Sequence, residues 1–166
     1  MDLIIREVRP DDAEGIIAIL NPIIAAGQYT VLDTPFTAEA EREFIARFPE
    51  RGIFLVAERT SDGRIVGFQS LEPFGTYTHA FHHVATMGTF VDLAERRKGI
   101  GTQLAKATFR AARRKGFEKI FTYVRADNHE SLAFYLKLGF RIVGTAQRQA
   151  RFGEYYVDEV IIERFV

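Results

Sequence analysis

The stretch Val91 to Leu104, VDLAERRKGIGTQL, has the residue types of a turn that binds phosphate. A β-rich run ends there, cations follow, and Gly99 and Gly101 open a segment with helical periodicity. Glycines let the backbone approach a ligand closely, and the first turn of a helix presents unpaired N–H groups at the positive end of its dipole. A pyrophosphate is the natural occupant of such a terminus. Arg96, Arg97 and Lys98 supply charge next to Gly99, Ile100, Gly101 and Thr102, although the same residues also fit an ordinary surface turn. The spacing lacks the third glycine of a dinucleotide fingerprint, and it lacks both the second glycine and the Lys-Ser/Thr ending of a P-loop.

A second constellation lies downstream in Asn128 to Phe140, NHESLAFYLKLGF. Asn128 and Ser131 stand where polar residues cap a helix. Tyr135 follows Asn128 by seven residues, about two turns, so the three side chains share one helical face. Phe134 and Tyr135 also read as a core pair.

The elements that must position these groups follow from periodicity and punctuation. Leu3 to Val8 reads as a strand, and Asp11 with Glu14 has capping-box spacing before a helix that Gly27 ends. Thr37 can cap a second helix running to about Phe48. Ile53 to Arg59 and Arg64 to Leu71 form a hairpin across Ser61, Asp62 and Gly63, because Asp-Gly is a tight-turn signal. Val84 to Leu93 is the strand that feeds the glycine turn; Leu104, Ala107, Thr108 and Ala111 mark the next helix, with Gly116 at its end. Ile120 to Val124, the helix Asn128 to Leu138, and a closing pair of strands, Phe140 to Thr145 and Tyr155 to Phe165, complete the order β α α β β β α β α β β. Two strand-helix-strand units in the second half favour parallel pairing there, and the hairpins favour antiparallel pairing elsewhere. The expected fold class is α/β (α+β): a mixed, mostly antiparallel sheet of about seven strands, in one domain spanning 1–166, a length suited to a single core.

Composition narrows the chemistry. The 22 Lys and Arg balance 22 Asp and Glu, so no global field draws nucleic acid or an anionic membrane, and neither is expected as a partner. The opening MDLIIREVRP carries too short an apolar run for a secretory signal or a membrane span, which points to the cytoplasm. The absence of cysteine removes disulfides, thiolate metal sites and a cysteine acyl-enzyme.

R-x-x-G-x-G at Arg96 to Gly101, followed after one helix and one strand by N-x-x-S-x-x-F-Y-x-x-x-G-F at Asn128 to Phe140, resembles the GNAT superfamily of N-acetyltransferases. The element order is similar from first strand to last. The segment Thr30 to Phe44 resembles the phosphinothricin-acetyltransferase-like branch, which acetylates amino-acid-like amines. That branch usually has a glutamate two residues before the position of Gly88, where this chain has Thr86.

The resemblance implies helices on both faces of the sheet and a central parallel pair, ending near Val91 and Val124, that splays to admit the pantetheine arm of acetyl-coenzyme A. It assigns coenzyme contacts to Phe90 and Val91 through their backbones, to Arg96, Arg97, Lys98, Gly99, Ile100, Gly101 and Thr102, and to Asn128 and Ser131. A bulky residue at Gly99 or Gly101 would block the phosphate. Tyr135 would protonate the departing thiolate, and His82 and His83, just before the central strand, are the candidate bases, with Glu72 a weaker one. Tyr29, Asp33, Glu72, Tyr77, Arg151 and Tyr155 are candidate acceptor contacts. The function implied is acetyl transfer to a primary amine of a small molecule, an amino acid or its analogue, by direct attack and without a metal. Polyamines, aminoglycosides, protein amines, or a non-catalytic acyl-coenzyme A sensor are the alternatives, and a homodimer is a frequent feature of such enzymes.

Overall fold

Residues 1–166 are all described in a computed structural model. The elements run β1 (Leu3–Glu7), α1 (Ala13–Ala26), α2 (Ala38–Ala46), β2 (Ile53–Arg59), β3 (Ile65–Pro73), β4 (Val84–Val91), α3 (Ile100–Arg114), β5 (Lys119–Arg125), α4 (His129–Lys137), β6 (Arg141–Phe152) and β7 (Tyr155–Phe165). All seven strands join one mixed sheet in the order β1-β2-β3-β4-β5-β7-β6, and every neighbouring pair is antiparallel except β4 and β5.

Alternate strand residues point to opposite faces, and each face buries its own cluster. On one, Ile16, Ile19, Leu20 and Ile23 of α1 and Ile45 of α2 pack on Phe54, Val56 and Phe68. On the other, Leu104, Ala105, Phe109 and Ala112 of α3 and Tyr135 of α4 pack on Leu55, Val66, Met87, Ile120 and Ile162. The buried stripe of α3 is therefore turned slightly from the expected one, since Ala107 and Ala111 are only partly buried.

Local signals place several boundaries. Thr37 Oγ1 accepts from Ala40 N at 3.1 Å and starts α2. Gly27 ends α1 in the left-handed region at φ 68°, where an L side chain is strained. The expected Asp11–Glu14 capping box does not form. A short 3-10 turn, Pro10–Asp12, intervenes, and the Asp12 carboxylate instead accepts from Arg9 N at 2.7 Å while pairing with Arg6 at 2.8 Å.

The second strand-helix-strand unit also differs from expectation. β5 and β6 are not neighbours, because β7 returns along β6 from the hairpin at Gly153 and inserts between them, pairing with β5 from Lys119↔Phe165 to Arg125↔Glu159. The only parallel ladder is β4 with β5, and it holds Val84 opposite Lys119 and Ala85 opposite Ile120 before the strands diverge. The Thr122 hydroxyl donates to Met87 O at 2.7 Å across that divergence.

α3 lies close against β3 because position 67 has no side chain. A Cβ on Gly67 would stand 2.8 Å from Ile100 Cγ2 and 3.3 Å from Phe90 O. Ile100 is the first residue of α3, so this contact fixes where the helix begins over the sheet. Gly67→Ala is expected to lower stability by about 1–3 kcal/mol through overpacking, read as a lower urea midpoint with unchanged slope.

Candidate active site

The cationic turn between β4 and α3 is built from left-handed residues. Arg97 sits at φ 62° and Gly99 at φ 80°, so the chain reverses sharply just before the helix begins. Gly99 is the N-cap of α3 and offers no side chain to its first turn, whose first intrahelical bond is Gln103 N to Gly99 O at 3.1 Å. The N–H groups of Ile100, Gly101 and Thr102 are thus left for a ligand. A Cβ built at Gly99 would meet nothing within 4 Å, so the space beside the helix end is open.

That space belongs to a cavity of about 600 Å³, into which the turn, the end of β4 and the start of α4 all project. Its linings include Phe90, Val91, Gly99, Thr102 and Asn128. The geometry and the free donors fit a diphosphate. Arg96 stacks over the Tyr29 ring at 4.0 Å, and both Arg96 and Arg97 reach the Glu130 carboxylate, at 3.4 and 3.2 Å.

A smaller cavity of about 110 Å³ opens where β4 and β5 diverge, and shares Tyr29, Thr89, Phe90 and Ser131 with the larger one. Tyr135 enters it from α4, whose start is fixed by Asn128 Oδ1 accepting from Ser131 N at 3.2 Å. The phenol is almost wholly buried, and burial pushes its pKa up to about 12, with the Thr89 hydrogen bond pulling it back only in part. Tyr135 Oη lies 2.9 Å from Thr89 Oγ1, which itself accepts from Gln69 Nε2 at 2.8 Å. Either hydroxyl can donate in this bond, and when Thr89 is the donor the phenol proton is free to face the cavity.

Arg125 anchors the cavity's outer wall. Its side chain is 3 % exposed, pairs with Asp127 at 2.8 Å, and donates through Nη1 to Gly27 O at 3.2 Å and Thr30 O at 2.9 Å. Asn128 Nδ2 adds a bond to Tyr29 O at 3.2 Å. Together they hold the segment after α1 over the divergence of the strands.

Residues 23–140 match the model of the Acetyltransferase (GNAT) family. The chain belongs to the GNAT family. It is an N-acetyltransferase with acetyl-CoA as its donor. A Bacillus subtilis protein, YwnH, provisionally named a phosphinothricin acetyltransferase, is 30% identical over 78% of this chain and 78% of its own. The L-methionine sulfoximine/L-methionine sulfone acetyltransferase of Pseudomonas aeruginosa is 26% identical over 87% of this chain and 83% of its own. The fold is shared with a phosphinothricin acetyltransferase from Sinorhizobium meliloti solved in complex with acetyl-CoA, at TM-score 0.90 and 18% identity over 100% of this chain and 89% of that one.

Within this GNAT domain most residues expected at the coenzyme gather on the larger cavity: Phe90, Val91, Arg96, Arg97, Gly99, Ile100, Gly101, Thr102, Asn128 and Ser131. Lys98 does not. Its Nζ turns back to Glu95 at 2.6 Å, an i,i+3 ion pair on a carboxylate that Arg59 also holds at 2.7 Å. Gly101 has a second duty, since a Cβ there would meet the Phe134 ring at 2.9 Å, so a bulky residue would disturb the contact of α3 with α4 as well as a ligand.

The expected bases fare differently. His82 and His83 precede β4 at the end where it still pairs with β5, and His83 O accepts from Glu118 N and Lys119 N at 2.8 and 3.1 Å. Six residues separate His83 from Thr89, roughly 20 Å at the ~3.3 Å rise of a strand. Neither histidine lines either cavity. Glu72 sits cross-strand from Thr86 with its carboxyl raised above the usual range by burial, and it too lies outside both.

Among the acceptor candidates only Tyr29 lines the cavities. Asp33 accepts from the neighbouring Thr34 hydroxyl, Tyr77 is exposed and edges onto Phe81, Arg151 donates to Gly153 O, and Tyr155 is exposed on the hairpin. The cavity walls contributed by Thr89, Arg125 and Glu159 were not singled out by sequence reasoning, because strand pairing rather than spacing brings them together. Arg125→Ala is expected to destabilise the protein by about 1.5–3 kcal/mol, the range for a hydrogen bond to a charged group. It should also speed amide exchange across residues 27–32, measured by hydrogen–deuterium exchange.

Proposed function

We propose that this GNAT enzyme acetylates the primary amine of a small molecule, an amino acid or amino-acid analogue, acting in the cytoplasm as one domain spanning 1–166. The observation that carries the reading is the adjacency of the two cavities, which share Tyr29, Thr89, Phe90 and Ser131 as walls. The diphosphate of acetyl-CoA would rest on the N–H groups of Ile100, Gly101 and Thr102, with the acyl end reaching the divergence of β4 and β5 beside Tyr135. The size of the smaller cavity, about 110 Å³, supports a small acceptor. The names of the Bacillus and Pseudomonas relatives support an amino-acid-like one.

Direct attack is the simplest route in a chain without cysteine. The amine nitrogen forms a bond to the thioester carbon, the C–S bond breaks, and Tyr135 meets the charge that develops on sulfur. A phenol at about 12 holds its proton against a thiolate of about 8.5, taking cysteine as the model. Tyr135 therefore first acts as a hydrogen-bond donor to sulfur, and gives up its proton as the nitrogen's own proton replaces it. Because its pKa is raised, the phenol is fully protonated at neutral pH, and activity attributable to it is lost only well into the alkaline range.

Gly99→Asp places a carboxylate at the open end of α3 in a residue type tolerant of the left-handed region. It is expected to weaken acetyl-CoA at least tenfold, about 1.4 kcal/mol, by calorimetry. Unchanged affinity would remove the diphosphate from this turn. Tyr135→Phe should leave acetyl-CoA binding intact and lower kcat roughly tenfold to a thousandfold; an unchanged kcat assigns the proton to another group. In a thiol-release screen, amino acids and their analogues should give the highest kcat/KM, and a clear preference for polyamines, aminoglycosides or protein amines would replace the acceptor while keeping the transferase.

A further inference from the structure

An amine of lysine-like pKa, about 10.4, costs roughly 4.6 kcal/mol to deprotonate at pH 7, and even an α-amine of about 8 costs ~1.4 kcal/mol. The site therefore benefits from a base within reach of the acceptor, and neither histidine stands there. The smaller cavity contains one carboxylate, Glu159 of β7. We propose that Glu159 takes the proton of the acceptor ammonium, which rests on the reading of the smaller cavity as the place where the amine meets the thioester.

Three observations converge on Glu159. The insertion of β7 beside β5 sets it directly opposite Arg125, at the point where β5 has already left β4, so the final strand of the chain delivers a carboxylate to the divergence. The cavity it lines is the one that Tyr135 and Thr89 also line. Its side chain is half-buried and enters no hydrogen bond or ion pair within the chain, unlike the neighbouring Glu163, which Lys119 holds at 2.6 Å. A half-buried carboxylate without a partner is costly to retain, and an approaching ammonium supplies the missing partner.

The surrounding charges agree with a base rather than a spent ion. Arg125, across the strand pair, draws the Glu159 carboxyl down, but its guanidinium is bound to Asp127, and burial of Glu159 prevails and holds its pKa above the usual carboxylate range. The other titratable walls of the cavity are Tyr29, Tyr123 and Tyr135, and Ala146 is the residue of β6 opposite Glu159. A raised carboxylate pKa makes a stronger base.

The step balances without a further reactant. The ammonium gives one proton to Glu159 and its freed lone pair attacks the thioester carbon, forming the C–N bond. On collapse the C–S bond breaks, sulfur takes the Tyr135 proton, and the second proton lost by nitrogen restores the phenol. The proton on Glu159 leaves to water, so one amide, one thiol and one proton are released for each ammonium and thioester consumed.

Glu159→Gln keeps shape and volume while removing the base. With the amine that the screen selects, kcat/KM is expected to fall tenfold to a thousandfold while acetyl-CoA affinity by calorimetry stays within twofold. The pH profile separates a chemical role from a structural one. In the wild type, kcat/KM falls as the solution is acidified through the Glu159 pKa. In the variant that limb disappears and the rate follows the free-amine fraction, rising tenfold per pH unit up to the amine's own pKa. Glu159→Asp should recover part of the rate and the acid limb. Glu72→Gln, on the far side of β4, should change kcat/KM less than twofold. An active wild type with an unaltered Glu159→Gln rate or profile, or a collapse in Glu72→Gln instead, overturns the assignment. A wild type inert with every amine overturns the transfer reading itself, and this role with it.

Discussion

Two parallel strands that begin paired and then separate set the terms for everything around them. β4 and β5 share a ladder only at Val84–Lys119 and Ala85–Ile120, yet neither strand is left without partners. β4 is paired with β3 from Ala85 to Val91, and β5 with β7 along its whole length, so each can lose its inner neighbour and keep an outer one. The unpaired inner edges are backbone donors and acceptors that an extended ligand could join as a strand would. Thr122, donating to Met87 O, ties the two strands together just beyond their shared ladder.

The electrostatics of the opening are asymmetric. At the diphosphate end, attraction comes chiefly from fixed N–H groups, because Arg96 and Arg97 already share Glu130 and Lys98 is spent on Glu95. Exposed pairs of that kind are worth about 0–1 kcal/mol and exchange readily for a phosphate partner. At the reacting end burial sets the protonation instead: a phenol that burial holds protonated, and the half-buried, unpaired carboxyl of Glu159, raised by the same cause. Burial thus tunes one group to keep its proton and another to accept one.

What could be read from the sequence was what is local in it. The turn at Arg96 to Thr102, the face shared by Asn128, Ser131 and Tyr135, the Asp-Gly hairpin and the Thr37 cap depend on residues a few positions apart, and each lies where spacing placed it. The Lys98 side chain turns to its i,i+3 partner Glu95 rather than into the cavity, a local pairing that competes with any ligand for the same cation. His82 and His83 were close to the central strand in sequence but stand at its paired end, and strand direction decides that. Glu159 and Arg125 are separated by 34 residues and meet only because β7 enters between β5 and β6, which no periodicity announces. The alternation in YYVDEVIIERF places Glu159 on the face opposite Val160 and Ile162, but its neighbours follow only from the pairing.

Tyr29 forms a wall of both cavities, stacked on Arg96 from one side and tied through its carbonyl to Asn128. A molecule that draws Arg96 away from the ring, as a phosphate group would, alters the boundary of the smaller chamber without touching it. Thermodynamic linkage makes that influence mutual: whatever one occupant gains from the position of Tyr29, the other gains equally. The two substrates therefore need not bind independently, and a single aromatic ring on the segment after α1 is enough to couple their affinities.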